Sequence, residues 1–161
     1  MTRFREYVNR LRKIVPAADA EGLEGLANDF VLDSVAFIEN KDRISFPTFE
    51  CVFAHNTSQF LNQAKRLGVR PPQTYGCAIG TRSGKKYIIV NLGAYLPLLM
   101  NGEYNFIVNL TLVVMEELLH VLYPVRSEAE ISPVAIAYTE KMLGVKIPIS
   151  YKRLAKKLLN K

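Results

Sequence analysis

Three residues within one apolar run could do chemistry together: Glu116, Glu117 and His120. Two more acids, Glu128 and Glu130, follow after Pro124. Successive residues on a helix lie ~100° apart. Glu116 and His120, four apart, therefore share a face, and Glu117, three before His120, lies on its flank. Carboxylates beside an imidazole can shuttle protons or ligate a cation. Asn105, Asn109 and Tyr123 fall near the same stripe. Val108, Leu110, Val114, Met115, Leu118, Leu119, Val121 and Leu122 fill the other directions. Such a helix is apolar around most of its circumference, with one narrow polar edge. By itself that edge is also what a core helix leaves to water, so the order of the residues has to separate the readings.

That order resembles the active-site helix of zincin-like metallopeptidases, His-Glu-x-x-His, in which two histidines hold zinc and the glutamate activates water. The resemblance implies Glu117 as general base and His120 as a metal ligand, with Glu116 standing where the first histidine belongs. Glu130 or Glu128 takes the place of the third ligand. The implied cofactor is a divalent metal, zinc first. Two carboxylates and one histidine would nearly neutralise it, acidify its water less and bring manganese or iron into range. The strand expected over residues 87–91 would be the edge strand that holds a peptide by β-addition. The resemblance spans about residues 73–131. It leaves open a metal-dependent peptidase and a diverged relative without metal or activity. A reading from another class is a non-catalytic binding or regulatory domain contacting nucleic acid or a protein partner through basic ends.

Other constellations are weaker. Glu117-x-x-His120 is half of a di-iron bundle signature, but the second half is missing because position 52 is valine. Cys51 and His55, four apart on the expected third helix, could form a metal pair, but they project opposite its Phe49, Phe53 and Phe60 face. Thr81-Arg82-Ser83-Gly84-Lys85-Lys86 lacks the spacing of a phosphate-binding loop and reads as a basic hairpin tip. Arg126, Tyr123 and Tyr95 are candidates to steady an oxyanion by nearness in sequence.

The elements that must position these groups read as an α+β fold: a mostly helical single domain over residues 1–161, with a small antiparallel sheet, zincin-like at its centre. Residues 1–70 form a helical N-terminal part, 73–131 a hairpin plus the candidate helix, and 132–161 C-terminal helices. Apolar spacing predicts helices over 2–15 and 19–39, and a third from Pro47 to Leu67 closed by Gly68. Residues 73–80 and 85–91 predict a hairpin. A linker with a helical turn follows, then the candidate helix over 103–123 and another from about Ser127 to Leu143. A last short helix starts at Ser150.

A chain of 161 residues with 49% hydrophobic and 22% charged residues is that of a soluble globular domain. Its uncharged stretches, 87–102 and 104–115, fall short of a bilayer span of ~20 residues. No apolar signal region opens the chain, and Cys51 and Cys77 make no disulfide framework, so a cytoplasmic protein is expected. Of the net charge of +6, residues 1–13 contribute +4 and residues 152–161 contribute +5, which leaves −3 for the body. Basic ends of this kind can touch phosphate backbones, or be the solvated faces of amphipathic helices.

Overall fold

The chain folds as a mostly helical α+β domain built on a three-stranded sheet; the computed structural model describes residues 3–14 and 20–148. The expected last helix and the basic segment 152–161 lie outside the described residues.

Helix α1 (Arg3–Ile14) buries Tyr7 and Leu11. Its arginines are neutralised locally: Arg3 pairs with Glu6, Arg10 with Asp29 and Arg12 with Glu103. Helix α2 (Ala20–Asp42) turns Leu23, Leu26, Phe30, Ser34 and Ile38 into the core, the face its apolar spacing predicts.

The chain then departs from expectation. Residues near Pro47 do not start a helix. Instead β1 (Glu50–Ala54) pairs in parallel with β3 (Lys86–Asn91), Cys51 opposite Ile88. The phenylalanines at 49 and 53 fit a helical spacing, and only pairing with a distant strand decides against it. Helix α3 (Thr57–Arg66) begins one element later, where the Asn56 side chain accepts from the Gln59 N–H at 2.9 Å. Cys51 and His55 therefore share no helix.

Strand β2 (Gly76–Gly80) joins the other side of β3 antiparallel, giving the order β1-β3-β2. The sheet is mixed rather than antiparallel, and β3 is its centre rather than its edge. Ile88, Ile89 and Val90 are buried from both faces, which explains why this was the most apolar strand in the sequence. One face, with Phe53, Ile88 and Val90, packs on the main helical core. The other, with Ala54, Cys77, Ile79 and Ile89, packs on Phe60 and Ala64 of α3.

After β3 come a single turn, α4 (Leu92–Tyr95), and a 3₁₀ segment, Leu96–Asn101. A Cβ at Gly93 would lie 2.3 Å from the His55 carbonyl oxygen, so only glycine lets α4 close over the end of β1. Helix α5 (Glu103–Leu122) is the core helix expected, with thirteen buried residues. By length and apolarity it could cross a membrane, but most of it is buried inside the fold. Helix α6 (Glu128–Leu143) is capped by Ser127 and closed by Gly144 at φ 74°, and Pro133 lies inside it rather than at its start.

Candidate active site

Helix α5 carries Glu117 and His120 against β2, and the contact is unusually close at Gly76. A Cβ there would fall 2.9 Å from Val113 Cγ2 and 3.5 Å from Glu117 Cγ. Between them, beyond this contact, opens a cleft of about 360 Å³. Glu117, His120 and Glu128 line its helical wall, and Cys77, Ala78 and Lys86 its strand wall.

Glu117 is 6% exposed. Burial, with help from the neighbouring Glu116 and Glu128 charges, pushes its carboxyl up to about 8. It is thus a carboxylic acid at neutral pH unless a positive charge enters the cleft. Cys77 is raised to about 12, first by burial and then by Glu117, so it is a protonated thiol rather than a nucleophile. His120 Nε2 lies 2.8 Å from Glu128 Oε2. Lys86 Nζ donates to the Val121 carbonyl at 3.4 Å.

The other acids go elsewhere. Glu116 is half-buried outside the cleft lining, and the Ser132 hydroxyl donates to its Oε1 at 3.5 Å. Glu130 is exposed and engaged in the α6 cap: Ser127 Oγ donates to its carboxylate at 3.2 Å, and its N–H donates back at 3.3 Å. The set Glu116–His120–Glu130 is therefore not assembled around one point. Glu128 is the downstream acid that meets His120. Among the described residues, no three His, Cys, Asp or Glu side chains converge as a metal-holding group. His120 and Glu128 form a two-donor pair, one imidazole nitrogen and one carboxylate oxygen, whose chemistry suits zinc, manganese or iron.

The oxyanion candidates do not reach the cleft. The Tyr95 hydroxyl is fully buried and, among the described residues, unpartnered. Tyr123 donates to Asp42 at 2.7 Å, and the Arg126 guanidinium sits 3.8 Å above the Tyr123 ring. Cys51 and His55 lie away from the cleft, where His55 Nε2 meets Glu24 at 3.2 Å.

One feature was not read from sequence: the state of the β2 edge. Asn91 N–H donates to Tyr75 O at 3.0 Å and Thr81 N–H to Lys85 O at 2.8 Å. This register turns the backbone groups of Gly76, Ala78 and Gly80 outward, away from β3. The Gln73 carboxamide occupies those of Gly76: Nε2 donates to its carbonyl at 2.5 Å and Oε1 accepts from its N–H at 3.2 Å. Among the described residues, the outward groups of Ala78 and Gly80 have no hydrogen-bond partner, and both residues line the cleft with Glu117. Glutamine three residues before a strand gives no distinctive signal, and edge or centre depends on the third strand. No family model, curated protein or solved structure matches the chain.

Proposed function

We propose that this cleft hydrolyses a peptide bond in an extended segment added to the β2 edge, with a divalent cation held by His120 and Glu128 and with Glu117 as the base. One observation carries the reading. Glu117, His120 and Glu128 line a single cleft beside the open backbone of Ala78 and Gly80, which can hydrogen-bond a peptide as a further strand would.

A cation bound there would polarise the scissile carbonyl and the attacking water. The positive charge would also favour the ionised form of Glu117 and bring its carboxyl below about 8. Glu117 accepts a proton from water as the water oxygen bonds to the carbonyl carbon. The C–N bond breaks as Glu117 returns that proton to the leaving amine. Water is added across one bond, and Glu117 ends as it began. The near-absence of solvent around Glu117 keeps the proton on this path.

The convergence of only two donors favours a second reading, in which the same edge and cleft hold a peptide without cleaving it. Metal content and peptide cleavage, measured on the full chain purified without a metal-affinity tag, separate the two. The hydrolytic reading expects a stoichiometric transition metal, lost in His120→Ala and Glu128→Ala. Glu117→Gln should retain the metal and lose cleavage by ~100-fold or more. No metal at saturating zinc or manganese would sink it.

A further inference from the structure

Residues 51–102 contain Lys65, Arg66, Arg70, Arg82, Lys85 and Lys86 and not one Asp or Glu. Their +6 equals the formal net charge of the whole chain. This segment supplies α3, β2 and β3, together with four of the five residues of β1. Among the described residues, none of the six cations takes part in an ion pair. By contrast, the α1 arginines at 3, 10 and 12 all do.

Three of the six lie at the β2 edge or in its turn. Lys86 lines the cleft itself. Arg82 and Lys85 are exposed in the turn that leaves β2. Arg70 is exposed and lines a separate pocket with Lys65, beyond the end of α3. The acids Glu117 and Glu128 occupy the opposite, helical wall. The cleft is therefore divided in its chemistry, with acids where bond breaking is proposed and cations without an ion pair, among the described residues, along the strand and at its turn.

We infer that the segment taken up by the β2 edge is an acidic, extended peptide, whose carboxylates meet Lys86, Arg82 and Lys85. This rests on the reading of the cleft as a peptide site. Unpaired cations on a surface are complementary to an anionic partner and steer its approach. The choice of peptide over nucleic acid rests on two observations. The open N–H and C=O groups of Ala78 and Gly80 repeat at the two-residue period of a strand backbone. Among the described residues, no Phe, Tyr or Trp lines the cleft to stack a base, as binding of single-stranded nucleic acid uses. Side chains at 76, 78 and 80 point to the cleft side and are Gly, Ala and Gly, so a neighbouring backbone can approach closely; a Cβ at Gly80 would meet nothing within 4 Å.

The test is fluorescence anisotropy with the full chain in chelator, where binding is read without cleavage. The probe is a labelled, unstructured twelve-residue peptide with glutamate at alternate positions, compared with Gln and Lys versions of the same peptide. A single-stranded oligonucleotide of twelve nucleotides serves as competitor. The Glu peptide should bind ~10-fold or more tighter than the Gln version, and added salt should erode that preference. The double variant Arg82→Glu/Lys85→Glu changes only exposed side chains and should reverse the preference toward the Lys peptide, with an unaltered circular dichroism spectrum. Equal binding of the Glu and Gln peptides overturns the inference. So does an oligonucleotide that outcompetes the Glu peptide in the wild type and loses that advantage in the double variant. Charge-selective binding with no cleavage in the presence of metal retains this inference and rejects hydrolysis. Cleavage without charge preference does the reverse.

Discussion

Burying a carboxyl with no cation beside it has a thermodynamic consequence at Glu117. Its ordinary value of 4.5 rises to about 8 in the fold, so between these limits the native state holds a proton that the unfolded chain has released. Stability from this group is full below about 4.5 and is lost as pH rises toward 8. Urea denaturation of metal-free protein should show a decline on the order of a few kcal/mol across that window. Glu117→Gln, neutral at every pH, should flatten it. A wild-type curve as flat as the variant's would mean that Glu117 is charged and compensated. The two downstream acids should separate equally cleanly. Glu130→Ala removes a partner of the Ser127 cap and should cost about 0.5–2 kcal/mol without changing metal affinity. Glu128 is an exposed acid whose partner is His120. Glu128→Ala should stay within about 0.5 kcal/mol in stability and abolish metal binding. Isothermal titration with zinc and manganese, beside thermal melts, reads both variants.

Among the elements, the contact that builds the cleft is β2 on α5, and it depends on the missing side chain at Gly76. Val113 is core and β-branched, with little freedom to move aside. Gly76→Ala should therefore destabilise by about 1–3 kcal/mol and push β2 away from Glu117. The same substitution at Gly80, where space is open, should be tolerated. Denaturation midpoints of the two variants give the comparison. Helices α1 and α2 were legible because their apolar stripes repeat at the helical period over three or more turns, and α5 and α6 because an apolar run ends at Pro124 and the next segment lies between a Ser127 cap and Gly144. Strand β1 was not, since Phe49 and Phe53 satisfy a helical spacing and the deciding term is parallel pairing with residues more than thirty positions away. That pairing also moved β3 from edge to centre and passed the edge to β2. At the site, helix phase alone placed Glu117 and His120 close together. Which of Glu128 and Glu130 turns inward was not legible, because it depends on the path of the turn between Tyr123 and Ser127. The diversion of Glu116 to Ser132 requires α6 to be in place.

At the scale of the whole molecule, that turn is held from far away in sequence. Asp42, the last residue of α2, accepts hydrogen bonds from Tyr123 at the end of α5 and from Tyr138 in α6. One carboxylate thus fastens both sides of the connection that carries Glu128 toward His120, and Arg126 stacked on Tyr123 closes the same corner. The clamp lies outside the cleft lining, so its effect on the site can act only through the relative placement of α5 and α6. Hydrogen bonds to a charged group contribute about 1.5–3 kcal/mol each at most, and here they are partly open to water. Asp42→Ala should therefore lower stability by about 1–3 kcal/mol. Tyr123→Phe and Tyr138→Phe should each cost less, and neither should add its full effect once Asp42 is gone. The same cycle carries a second readout. If the clamp sets the distance between His120 and Glu128, Asp42→Ala should weaken zinc or manganese binding by ~10-fold or more, since metal ligands tolerate little displacement. It would do so although Asp42 touches neither donor. Lost stability with unchanged metal affinity would show that the corner holds the helices together while His120 and Glu128 find each other without it.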